Sequence, residues 1–238
     1  MSPSLKPVRP RQAATLVLLK PADSIADETR VLMGRRAPKH DFLPDVFVFP
    51  GGRVDQSDRG QKHSAQRLDA TVAGKIGGTA NQAHAIALAA IRETFEETGL
   101  ALLNTECGKA PTILPHRPQP GERSTGKWPG LDLVAKFDVL DYIGRAITPS
   151  ISPKRFDTHF FAADAGHARG EVTGNGELLD LKWYPLSDAL KLPLVDVTEF
   201  ILEYLTELLA GGAIVGPGFC PAVPFYSWRS SGWVTRWT

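Results

Sequence analysis

Three glutamates and an arginine crowd into RETFEETGL, residues 92–100: Arg92, Glu93, Glu96 and Glu97, with Gly99 just beyond them. On a helix turning ~100° per residue, Glu96 lies roughly 300° and Glu97 about 40° around from Glu93, so the three carboxylates share one arc. Leu88, Ile91 and Phe95 fall on the opposite side of the same wheel. Acids near a helix C-terminus oppose the macrodipole, at about 0.3–1 kcal/mol each. A divalent cation relieves both that penalty and the mutual repulsion. Magnesium and manganese take hard oxygen ligands and commonly sit between a few carboxylates and the phosphates of a substrate. The plainer reading is a solvated face on which Arg92 pairs with Glu96 at i, i+4, worth about 0.3–0.5 kcal/mol.

The elements that must position these side chains are legible around them. AATLVLL (13–19) and RVLMG (30–34) read as two buried strands joined by a polar, turn-like segment, the spacing of a hairpin. VFVF (46–49) reads as a third, ending in Pro50-Gly51-Gly52, where glycines permit positive φ and close approach to a ligand. Residues 53–80 read as a surface insertion with a short amphipathic helix near SAQRLDATVAGKI. Residues 81–98 read as the acidic helix, capped by Asn81 and ended by Gly99. The Pro- and Gly-rich segment 103–130 is expected to be a long loop, and 132–145 (DLVAKFDVLDYIGR) a helix. FDTHFFAAD and GELLDLKWYPL read as strands and VDVTEFILEYLTELLA (195–210) as an amphipathic helix. The aromatic tail after Phe219 has no clear period and could pack on the body or at a homodimer interface. No internal repeat is evident. Mixed strands and helices without evenly spaced βαβ units favour an α+β fold, a mixed sheet sandwiched between helices, over a doubly wound parallel sheet.

Composition sets the wider bounds. The 238 residues are 42% apolar, enough for one elaborated domain spanning 1–238. With 27 basic and 26 acidic residues the formal charge is +1, which offers no global field for a nucleic acid or an anionic membrane. Cys107 and Cys220 fit no metal-ligand spacing, consistent with a reducing compartment. The apolar run after the basic N-terminus is too short for a membrane span, so the expected setting is cytoplasmic.

FPGG at the end of a strand, followed after an insertion by a helix carrying RETFEETGL, resembles the Nudix hydrolases. Their box runs glycine, five residues, glutamate, seven residues, then Arg-Glu-aliphatic-x-Glu-Glu-x-Gly-aliphatic. Arg92, Glu93, Glu96, Glu97, Gly99 and Leu100 stand where that pattern asks, with Thr94 in place of the aliphatic residue. Gly52 and Arg92 are 40 positions apart where the box has about 14, so about 26 extra residues lie inside it. Counting forward from Gly52, the box glutamate falls on Asp58; counting back from Arg92, it falls on His84. The insertion, with VFVFPGGRVD, AAIRETFEETGL and ITPSISPKRFDTHFF, is similar to the branch that contains the coenzyme A pyrophosphatases.

The resemblance implies an α/β/α sandwich and metal-dependent hydrolysis of a nucleoside diphosphate linked to another group. It implies that Glu93, Glu96 and Glu97, with the Gly51 carbonyl, bind Mg2+ or Mn2+, and that Arg92 braces the carboxylates. The catalytic base is sought at Glu177 or Glu171, beside the TGNG turn. Arg35 and Arg36, with Gly51 and Gly52, are candidates for substrate phosphates. Arg155 and Asp157 could pair with one another or line the pocket, Trp183 fits core better than a stacking platform, and His40, His116 and His159 show no ligand spacing. Coenzyme A or acyl-coenzyme A is the expected substrate, with ADP-ribose, a dinucleotide or a damaged nucleotide as the alternative. A non-catalytic nucleotide-binding module is the reading from a different class.

Overall fold

A computed structural model describes residues 8–22, 27–39, 43–59, 68–104, 135–213, 215–216, 219, 221–229 and 232–237. Most of the segment 103–130, residues 60–67 of the insertion, His40, His116 and both cysteines lie outside that set.

The organising strand is β1 (Arg11–Lys20). Its alternation is apolar on both sides, as a strand buried on two faces requires. Ala14, Leu16 and Leu18 join one core, while Val17 and Leu19 join another. On one flank it runs parallel to β7 (Phe156–Asp164), in register from Arg11↔Phe156 to Leu19↔Asp164. On the other flank it is shared. Its C-terminal end pairs antiparallel with β2 (Arg30–Arg36), and its N-terminal half pairs with β4 (Gly51–Arg53), which follows the short β3 (Phe47–Val48). The glycine-bearing strand is thereby fixed against Ala13, Ala14 and Thr15.

Further strands extend the mixed sheet. β6 (Asp141–Ile147) pairs antiparallel with β7, and β9 (Leu178–Pro185) antiparallel with β2. A hairpin of β10 (Pro224–Arg229) and β11 (Gly232–Trp237) adds to β6, with β10 parallel to it. The two-residue strands β5 (Ala101–Leu102) and β8 (Ala168–Arg169) form a separate small pair.

One of these strands, β6, corrects an expectation, and the tail takes the first of its two expected places, on the body. The expected helix at 132–145 is, where described, a turn leading into β6. A strand covered on both faces reads as a near-continuous apolar run, and its spacing then mimics a helix. The aperiodic tail is a hairpin whose aromatic residues stack between β10, β11 and the helix beneath: Tyr226 lies on Trp233 at 4.4 Å and on Phe200 at 4.6 Å between ring centroids.

Helices cover both faces. After α1 (Gln56–Arg59) and α2 (Ala70–Ile76) comes α3 (Ala80–Thr98), packed on the Ala14–Leu18 face. Its first half is rich in alanine, and the small side chains allow close approach to the sheet. Thr79, not Asn81, caps it, accepting from the Gln82 amide at 3.2 Å. Gly99 ends it in the left-handed conformation at φ 77°. After α4 (Leu186–Ala189), α5 (Asp196–Ala210) packs Ile201, Leu202 and Leu205 on the opposite face. The architecture is the expected α+β sandwich, helix over mixed sheet over helix. Trp183 packs against the α3-side core. No helix among the described residues is long and apolar enough to cross a membrane.

Candidate active site

Helix α3 does not leave its acids in solvent. Glu96 and Glu97 are only 4% and 6% exposed and Arg92 only 1%. That rules out the solvated-face reading: Glu96 and Glu97 are buried and Glu93 is half-buried, with its carboxylate against Gly52 of the strand that bears the glycines.

Arg92 organises the cluster. Its guanidinium donates from Nε and Nη2 to the two oxygens of Asp58, each at 2.9 Å, and from Nη1 to Glu93 at 2.9 Å and Glu96 at 3.2 Å. Nη2 also reaches the Arg53 carbonyl at 3.0 Å. Burial pulls Arg92 downward, but the hydrogen bonds of Asp58 and the charges of Glu93, Asp58 and Glu96 outweigh it, leaving the group more firmly cationic than an ordinary arginine. The acid found by counting forward from Gly52 is therefore the one that clamps the arginine. His84, the other count, packs on Phe137 with ring centroids 4.4 Å apart.

The three glutamates divide. Glu93 and Glu97 open onto a cavity of about 410 Å³, whereas Glu96 turns to Arg92 and does not line it. This corrects the expectation of three acids facing one point. Burial, with the repulsion of Glu96 and Glu177 against the pull of Arg92, raises Glu93 to about 7. Burial, then the charge of Glu93, raises Glu97 well above the carboxylate range, although the Gly51 amide donates to its Oε2 at 2.8 Å.

The glycines serve close approach, as expected, but toward the protein itself. A Cβ on Gly52 would overlap the Glu93 carboxylate, and one on Gly51 would come within 2.5 Å of the Ala14 carbonyl oxygen and 2.7 Å of Thr15. Gly52→Ala is therefore expected to push Glu93 out of place. A displacement of about 1 Å at a reacting site can lower kcat about 100-fold. Gly74→Ala, whose added Cβ meets open space, is the matched control expected to leave kcat unchanged. Equal rates in a steady-state assay of the two variants would remove the positioning role of Gly52.

The remaining candidates separate as cleanly. Arg36 and Glu177 line the cavity with Glu93, Glu97, Gly51 and Gly52. Burial lowers Arg36, and the charges of Glu97 and Glu177 oppose it. Glu177 is set by the turn before it, its amide donating to Asn175 Oδ1 at 2.9 Å. Arg35 does not reach the cavity. It is bound at the surface to Asp180 at 2.8 Å and Asp45 at 2.7 Å, which corrects its assignment to substrate phosphates. Glu171 is exposed and absent from the cavity wall. Arg155 and Asp157 do not pair: Arg155 binds the Thr148 and Val8 carbonyls, while Asp157 takes a two-point grip from Arg145. His159 is buried, within 2.8 Å of the Tyr142 hydroxyl, and burial lowers it to about 4.

The donor set fits a divalent cation. Two mutually repelling carboxylates, Glu97 buried and Glu93 half-buried, face one cavity, where desolvation presses both toward protonation; a cation can take the place of the proton. Among the described residues no three His, Cys, Asp or Glu side chains already converge as ligands. Magnesium is commonly held by one or two carboxylates, with waters and substrate phosphates completing its shell. Much of the remaining wall is apolar, including Val48, Phe49, Phe156, Phe160 and Val197, with Arg53 and three threonines, Thr15, Thr158 and Thr198, among them.

A mixed sheet between helices, with a strand-end glycine pair seated against an Arg-Glu-x-x-Glu-Glu helix, defines the class. The comparisons with known proteins agree with it. No protein-family model matches the chain. A curated relative, the acyl-coenzyme A diphosphatase NUDT19 of Xenopus laevis, is 24% identical over 207 residues, covering 68% of this chain and 54% of that protein. A Caenorhabditis elegans relative bearing the nudix hydrolase name is 29% identical over 157 residues, covering 63% and 43%. The chain thus spans about half the length of the curated relatives it matches. The crystal structure of a NUDIX hydrolase from Alicyclobacillus acidocaldarius superposes with a TM-score of 0.62 at 28% identity, covering 88% of this chain and 99% of that one. In sequence and in fold the chain is similar to the Nudix hydrolases.

Proposed function

We propose that the protein hydrolyses the pyrophosphate bond of a nucleoside diphosphate linked to another group, using Mg2+ or Mn2+, and that coenzyme A or an acyl-coenzyme A is its substrate. The observation that carries the hydrolase reading is the pair of half-buried Glu93 and buried Glu97 opening with Arg36 and Glu177 onto one cavity. The coenzyme A reading is supported by the name of the Xenopus relative.

Glu93 and Glu97, beside the Gly51 carbonyl, are the residues to hold the cation, with Glu96 as the further acid of the same helix. When bound, the cation supplies charge against the pyrophosphate and acidifies water. Arg92 and Asp58 keep Glu93 oriented and take no part in bond breaking. Arg36 meets the negative charge of the phosphates with a guanidinium that burial has already stripped of solvent. Glu177 accepts the proton as water oxygen adds to one phosphorus and the bridging oxygen leaves on the other. The apolar wall seats the parts of the substrate remote from phosphate and limits access of competing water.

A panel assay with either metal tests the reading. Release of adenosine 3',5'-bisphosphate from coenzyme A is the expected result. Release of AMP from ADP-ribose, with coenzyme A untouched, would replace the substrate and keep the chemistry. Tight nucleotide binding without turnover of any compound would replace the hydrolase by a binding module.

A further inference from the structure

A second, larger cleft of about 670 Å³ opens beside the candidate site. Four arginines line it: Arg9 from the segment just before β1, Arg11 from the start of β1, Arg53 from β4 and Arg59 from α1. In a chain whose formal charge is only +1, this convergence is local and not a by-product of a basic composition. Two acids share the wall, Asp55 and Asp157, and Asp157 is already occupied by Arg145. Among the described residues none of the four arginines forms an ion pair. Arg59 is held in place instead by a neutral partner, donating to Gln12 Oε1 at 2.7 Å.

Four arginines against the single acid of the wall that Arg145 does not already hold leave an excess of positive charge that favours an anion, and the planar fork of arginine matches a phosphate better than any other cation of the protein. The cleft is also tied to the reaction site. Arg53 lines both cavities, and its carbonyl supports Arg92. Arg59 belongs to the segment inserted between Gly52 and Arg92, which gives that insertion a role.

We infer that this cleft binds a phosphate monoester carried by the substrate away from its scissile pyrophosphate, so that the insertion selects phosphorylated nucleotides over their dephosphorylated counterparts. The inference rests on the hydrolase reading for the word substrate, but its binding test does not.

The double variant Arg11→Ala/Arg59→Ala removes two exposed guanidiniums that contact no catalytic group, and its melting temperature reports that the fold is kept. Coenzyme A and dephospho-coenzyme A differ only in the ribose 3'-phosphate. For the wild type, kcat/KM is expected to favour coenzyme A by about tenfold or more, the size expected of charge-assisted hydrogen bonds. In the variant the ratio is expected to fall close to one through KM, with dephospho-coenzyme A altered by less than about twofold. An unchanged ratio, or an equal loss on both substrates, would overturn the inference. Calorimetry with adenosine 3',5'-bisphosphate and AMP gives the same decision without turnover. Tighter binding of the bisphosphate that is lost in the variant supports the cleft even if neither pyrophosphate is cleaved, a result that would defeat only the hydrolase reading. Equal binding of the two nucleotides by the wild type overturns it.

Discussion

Replacing Glu97 by glutamine is expected to lower kcat by about 1000-fold or more while leaving the fold intact. A cation at the pyrophosphate is worth several kcal/mol of transition-state stabilisation, and each ~1.4 kcal/mol is a factor of ten. Glutamine keeps the shape and can still accept from the Gly51 amide, but it contributes no charge to a metal site. Stability should move the other way. Burial and the charge of Glu93 raise Glu97 above its unfolded value, so the contribution of its protonated form is present at low pH and lost as pH rises through the folded value. The neutral variant escapes that loss. In chelator at pH 8 it should melt no lower than the wild type. A variant that retains wild-type kcat would remove Glu97 from the metal site, and one that fails to fold would show the side chain to be structural.

The second large effect is on stability. Asp58→Ala leaves Arg92 buried without its two-point partner, and stranding one member of a buried pair costs about 3–5 kcal/mol. For a domain of this size, about 2–4 °C per kcal/mol translates this into a fall of roughly 6–20 °C in Tm. The neighbouring Asp55→Ala, outside the Arg92 network, should stay within about 0.5 kcal/mol of wild type. Thermal melts of the two variants make the comparison, and overlapping curves would mean that Asp58 does not carry the arginine. Activity should fall with Asp58→Ala even below its melting point, because Arg92 also holds Glu93.

How far these residues could be read from the chain depends on what fixes them. RETFEETGL was legible because helical spacing dictates which side chains share an arc, and Gly99 marks where the helix must stop. Asp58 could be reached by counting from Gly52, since the inserted residues follow it and leave the glycine-to-acid spacing untouched. The division of Glu96 from Glu93 and Glu97 was not legible, because it is set by Arg92, which reaches one turn along its own helix and across to α1 at once. Arg35 and Arg36 show the limit of a two-residue period. Alternation says that one of them faces inward, but only the pairing of β2 with β3 and β9 selects Arg36. Strand β6 failed for a related reason: covered on both faces, it has no polar side to reveal its period. The arginine cleft was hidden because its members come from two strands, the segment leading into one of them and a helix, which only the folded sheet brings together.

The most direct test of the central claim is the rate of pyrophosphate cleavage in chelator-treated protein as Mg2+ or Mn2+ is titrated back. No cleavage without metal, a saturable rise as metal is added, and no such rise in Glu97→Gln is the expected result. Cleavage that persists under chelation, or a metal-dependent rate that Glu97→Gln leaves unchanged, would contradict a site built on Glu93 and Glu97.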